Sequence, residues 1–127
     1  NEYITIKGNA EIISKLQNTV LNAKARIYVS ANAAVMELLR TELEDALSRG
    51  LKVVVITGSD FLLPGAICYN TVKQQADKLI ADSQTVLTGD LDEGANSTCL
   101  YSCKRNLVDL FKDALKNEIK LIELQKG

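Results

Sequence analysis

Residues 74–90 read QQADKLIADSQTVLTGD, and the reading of this stretch decides the fold. The runs DKLIADS and TVLTG have the composition of two strands, joined at Ser83-Gln84, and a hairpin is the simplest connection. Gly89 closes the second strand. An extended chain alternates its side chains, so Gln75 and Asp77 share one face and Lys78 takes the other. A polar loop, DLDEGANS, leads from Asp90 to a further strand, TCLYS, over 98–102.

Toward the N-terminus the texture alternates. YITI (3–6) predicts a strand, and Asn9 is a candidate cap for a helix reaching about Lys24, with Ile12, Ile13, Leu16, Val20 and Leu21 at helical spacing. RIYVS (26–30) predicts a second strand. Asn32 is positioned to cap one helix carrying Val35, Met36, Leu39, Leu43, Ala46 and Leu47, which Arg49-Gly50 would end. LKVVVI (51–56) is a continuous apolar run, expected to be buried on both faces. Strand, helix, strand, helix, strand implies parallel pairing through crossover helices. GSDFLLPG (58–65) is a loop and 67–73 is extended. RNLVDLFKDALK (105–116) is an amphipathic helix with Leu107, Leu110, Phe111, Ala114 and Leu115 inward. KLIEL (120–124) either continues that helix or turns back as a strand.

The 127 residues suit one domain with its own core, and 46% hydrophobic with 24% charged residues is a globular composition. Fifteen basic and sixteen acidic residues give a net charge of −1, without a basic run to grip nucleic acid. No apolar run has the roughly 18 residues of a membrane span. The chain contains no histidine, which removes Ser-His-Asp and Cys-His chemistry, histidine metal sites and a histidine nucleophile. Cys68, Cys99 and Cys103 read as small buried hydrophobes, reduced in a cytoplasmic setting. No cofactor or metal site is expected. The acid pair of Asp90 with Asp92 or Glu93 lacks the spacing of a calcium loop. Ser30 and Asn32 end a strand and open a helix, where amides favour polar ligands.

The opening stretch also has the frame of the phospholipase D superfamily motif: a His, a Lys two places on, an Asp five further, then a Gly-Ser pair. With the Asp on Asp82, the Gly falls on Gly89, the His on Gln75, the Lys on Asp77 and the Ser on Asp90. The frame is kept and its nucleophile and phosphate-binding lysine are not. YITIKGNAEIISKLQNTVLNAKARIYVSAN, then ELLRTELEDALSRGLKVVVIT, and the ending ADSQTVLTGDLDEGANSTCLYSCKRNLVDLFKDAL resemble the segment that follows the winged helix in TrmB-type transcriptional regulators. That resemblance implies an α/β, phospholipase D-like mixed sheet with helices on both faces, without catalytic residues. It also implies a winged-helix DNA-binding domain upstream of residue 1 and sugar sensing. The expected unit is one effector-sensing and dimerisation domain over 1–127, a homodimer that reaches DNA only through the winged helix. Its candidate ligand residues are Ser30, Asn32, Gln75, Asp77 and Asp90, suited to a neutral sugar or polyol. The alternatives are a ligand-free dimerisation scaffold and a residual phosphodiesterase.

Overall fold

The computed structural model describes residues 3–58, 60–72 and 76–126, so Gln75 lies outside the described residues. Seven strands form one mixed sheet: β1 (Ile4–Lys7), β2 (Arg26–Ser30), β3 (Lys52–Thr57), β4 (Ile67–Asn70), β5 (Asp77–Ala81), β6 (Thr85–Asp90) and β7 (Thr98–Ser102). Their spatial order is β1-β7-β6-β5-β2-β3-β4. β2, β3 and β4 pair in parallel, and every other pairing is antiparallel. The expected parallel run of the first three strands is therefore corrected at β1. It pairs antiparallel with β7 at the far edge, and α1 (Asn9–Asn22) carries the chain across the intervening strands to β2.

Helices cover both faces. α1, α2 (Ala33–Leu38) and α3 (Arg40–Ser48) pack Ile12, Leu16, Val20, Met36, Leu39 and Leu43 against Ile27, Val29, Val53, Val55 and Leu79. On the opposite face α4 (Arg105–Lys126) sets Val108, Leu115 and Ile122 on Ile56, Ile80 and Val86. Three local expectations change. Asn9 is the first residue of α1, not its cap; Gly8 at φ 86° makes the turn, its amide bonded to the Ser97 carbonyl at 2.8 Å. The expected second helix is interrupted at the fully buried Leu39, which ends α2 and precedes α3. α4 runs on through KLIEL, and it buries Val108, Leu115, Glu118 and Ile122 against the sheet; Leu107 and Phe111 pack beside them as expected, while Leu110 and Ala114 are exposed. The helix has two apolar stripes, and periodicity alone does not choose between them.

The hairpin of β5 and β6 is as read, with a turn one residue longer. Asp82 (φ 56°) and Ser83 (φ 55°) both lie in the left-handed region, and the Gln84 amide closes on the Ala81 carbonyl at 3.0 Å. Positive φ at both positions suits a tight hairpin turn, and Asp tolerates it better than most residues. The Asp82 carboxylate then accepts the amides of Lys24 (2.9 Å), Ala25 (2.7 Å) and Arg26 (3.0 Å). Its own amide donates to the Arg26 carbonyl at 2.9 Å. One side chain thus satisfies the corner entering β2 and ties it to the hairpin turn. Burial pushes the Asp82 carboxyl up, but the three donated hydrogen bonds and the Arg26 charge outweigh it and hold the pKa below the ordinary value.

Gly89 is required by space. A β-carbon there would meet the Cys99 Cα at 2.8 Å and would collide with the Thr98 carbonyl oxygen on β7. Gly89→Ala is expected to lose about 1–3 kcal/mol, as overpacking does, by denaturant unfolding. Asp82→Ala is expected to lose about 1–3 kcal/mol at pH 7, because three amides lose their acceptor. Since the native pKa of Asp82 is depressed, its contribution is present above the ordinary carboxylate range and is lost as pH falls through the native value. The gap between Asp82→Ala and the parent should therefore narrow in acid.

Candidate functional site

The C-terminal ends of the parallel strands and the start of β5 lie at one end of the sheet. Asp77 opens β5 there, opposite Gly89 in register. Alternation along the strand turns Asp77 to the face of α1, α2 and α3, and Lys78 to the face of α4. The amides of Asn32 and Leu91 lie close enough to the Asp77 carboxylate to favour its charged form. Burial first, then the charges of Asp92 and Asp90, push its pKa from 3.8 up to about 6, against the pull of those two amides. The β5 start, the α2 N-terminus and the β6–β7 loop therefore converge on one carboxylate.

Of the candidate ligand residues, the fold brings Asp77, Asn32 and Asp90 together. The Asn32 Oδ1 accepts the Val35 amide at 2.8 Å and caps α2, as its sequence position suggested. Asp90 ends β6, and its Oδ1 accepts the Asp92 amide at 2.9 Å. Ser30 is not brought to this group. It sits two residues from Tyr28 on the α4 face of β2, and its hydroxyl donates to Glu118 Oε2 at 3.2 Å. Asn32 lies beyond the strand end, where strict alternation no longer applies.

A buried polar cluster on the α4 face escaped the sequence reading. Lys78 Nζ lies 3.7 Å from Glu118 Oε1, and Ser30 reaches the other oxygen of the same carboxylate. All three residues are more than nine-tenths buried. A carboxylate and an ammonium in that setting are held by each other, and losing either leaves a buried charge. The signal was available: Glu118 follows Leu115 by three and precedes Ile122 by four, on the helical stripe that faces the sheet. Among the cysteines, Cys99 is buried as expected. Cys103 is exposed, correcting the reading of all three as core residues, and its Sγ lies 3.5 Å from Thr85 Oγ1 and Tyr101 Oη. It follows the last residue of β7, beyond the sheet's cover. No group of carboxylates and thiols among the described residues is arranged to hold a metal ion. No helix among them is long and apolar enough to cross a membrane.

The fold matches that of several solved structures. TrmBL2, described as an archaeal chromatin protein with a novel mode of DNA binding, superimposes with a TM-score of 0.79 at 16% identity, over 94% of this chain and 53% of that one. This chain thus spans about half the length of TrmBL2. NucT from Helicobacter pylori gives 0.68 at 11% identity, over 94% of this chain and 97% of its own. Nuc from Salmonella typhimurium, a phospholipase D family member, gives 0.64 at 16% identity, over 91% and 93%. At these identities the likeness is one of fold, and it makes the sheet phospholipase D-like. A comparison with curated proteins finds no significant match. The family described as transcriptional regulator TrmB, EBD N-terminal subdomain, matches residues 2–111. The chain therefore belongs to the TrmB regulator family, through the N-terminal subdomain of its effector-binding region.

Proposed function

We propose that this chain is a non-catalytic, effector-sensing and dimerisation domain of a cytoplasmic transcription regulator, working as a homodimer behind a winged-helix DNA-binding domain. The observation that carries the reading is Asp77. In the phospholipase D frame its position belongs to the lysine that steadies phosphate. Here it holds a half-buried carboxylate flanked by Asp90 and Asp92. Three carboxylates repel a phosphodiester, and a chain without histidine offers no phosphohistidine intermediate.

The same groups suit a neutral sugar or polyol, whose hydroxyls both donate to carboxylates and accept from amides. The ligand contacts in this reading are Asn32, Asp77 and Asp90, with Gln75 from the adjoining segment, while Ser30 serves the α4 face instead. A ligand-free dimerisation scaffold is the second reading. The hydrogen bonds of Asn32 and Asp90 to nearby amides favour it, because they already occupy part of the polar surface.

Titration of neutral sugars by calorimetry tests the site: Asp77→Ala should weaken a binding sugar by at least about tenfold, or about 1.4 kcal/mol. Equal affinity would remove Asp77 from the site. The chain should not hydrolyse bis(p-nitrophenyl) phosphate, and hydrolysis abolished by Asp77→Ala would overturn the non-catalytic reading. Light scattering at micromolar concentration should give the mass of a dimer; a monomer would remove the assembly claim.

Asp77 also makes a prediction about pH. Its native pKa of about 6 lies above the ordinary 3.8, so folding favours the protonated form. The cost of the charge is absent well below 3.8, grows as pH rises toward 6, and is complete above it. Asp77→Asn keeps the shape of the side chain and removes the charge. It should raise the melting temperature at pH 7 and leave it nearly unchanged in acid below the ordinary carboxylate pKa.

A further inference from the structure

At the other end of the sheet, a cavity of about 220 Å³ opens between α4 and the start of β2. Three cations line it from two separate elements: Arg26 from β2, and Lys112 and Lys116 from α4. The lysines are four residues apart and so share one helical face. Tyr28, Ile80 and Leu115 supply an aromatic and aliphatic floor. Lys52, paired in register with Arg26, places its ammonium over the Tyr28 ring at 5.4 Å and adds a fourth positive charge at the margin. No carboxylate lines the cavity. Among the described residues, no side-chain ion pair holds Arg26, Lys112 or Lys116. Asp82, whose carboxyl feels the Arg26 charge, is turned to three backbone amides.

We propose that this cavity is a binding site for a small organic phosphate monoester. The phosphate would be clamped by Arg26, Lys112 and Lys116, and a flat apolar body would lie on Tyr28, Ile80 and Leu115. Unpaired like charges around a concavity repel one another, and an anion between them reverses the sign of that energy. Low-dielectric walls on one side strengthen the effect relative to a flat surface. A guanidinium fork matches two phosphate oxygens, and two ammonium groups on the facing helix meet the third. The small volume selects one phosphate on a compact body rather than a polymer. The site lies on the opposite face of the sheet from Asp77 and at the opposite end of β5, roughly 15 Å away along the strand. It is independent of the sugar-binding reading, and either can fail alone.

The test uses phenyl phosphate as the probe, with inorganic phosphate and phenol as its two halves. Binding is followed by calorimetry and by amide chemical shifts. Phenyl phosphate should bind one per chain, at least about tenfold tighter than either half, with shifts at residues 26–28 and 112–116. Lys112→Gln with Lys116→Gln changes two side chains at the helix surface, and it should weaken binding at least about tenfold. Lys112→Arg with Lys116→Arg keeps the charge and should restore it. Arg26→Gln provides a second route should the helix variant fold poorly. Absent binding, affinity unchanged in the glutamine variants, or shifts confined to residues 30–33 and 89–92 would overturn the proposal. So would a short duplex DNA that occupies the same lysines in preference to phenyl phosphate, since the surface would then be a nucleic-acid contact.

Discussion

The carboxylate of Asp82 joins the two halves of this sheet. On one side lies the antiparallel set β1, β7, β6 and β5; on the other lies the parallel set β2, β3 and β4. The seam is the β5–β2 pairing, from Ile27↔Ala81 to Ser30↔Lys78. At its start Asp82 gathers the amides of residues 24–26, and those amides belong to the corner where the chain leaves α1 for β2. Both the direction of β2 and its register against β5 depend on that corner. A register shift of one residue would exchange the faces of Lys78 and Leu79, placing an ammonium in the larger core. The separation of Asp77 from Lys78 by face is thus tied to a contact at the other end of the same strand.

This also explains how the phospholipase D frame survives without its histidine and lysine. Asp82 and Gly89, two members of the frame, do structural work that any sheet of this shape needs. One satisfies backbone amides at a corner; the other lets β6 lie close to β7. Neither task requires a nucleophile. Positions 75 and 77, where the frame has His and Lys, hold Gln and Asp in this chain.

The hairpin, the buried run of β3 and the Asn32 cap were legible because each is a local pattern with a local cause. The edge position of β1 was not legible, since the partner of a four-residue strand is chosen by distant residues, here 98–101 on β7. The inward face of α4 was legible only in part: Leu107, Phe111 and Leu115 pack toward the sheet as expected, and Leu110 and Ala114 do not. Leu110 looks like a core residue in sequence, yet the sheet receives Glu118, which a hydropathy pattern assigns to solvent. Asp77 and Asp90 could be placed together from the motif spacing. The approach of Asp92 and of the Leu91 amide depends on a loop whose path has no repeat to read. The basic cavity was invisible for the opposite reason to a motif: Arg26 and Lys112 are far apart in sequence, and only packing makes them neighbours.

The salt link between Lys78 and Glu118 gives α4 a detent. Its sheet-facing stripe is otherwise aliphatic and aromatic, and such surfaces slide past one another at small cost because one methyl group substitutes for another. Moving the helix by a single turn would part the two charges and strip Ser30 of its acceptor in the same step. Breaking a buried pair costs about 3–5 kcal/mol, more than a sliding aliphatic contact resists. A rod of 22 residues, about 33 Å long, is thereby held near its middle at one fixed setting. Any tilt of the rod would therefore turn about Glu118, with its two ends as opposite arms of a lever pivoted over the end of β2.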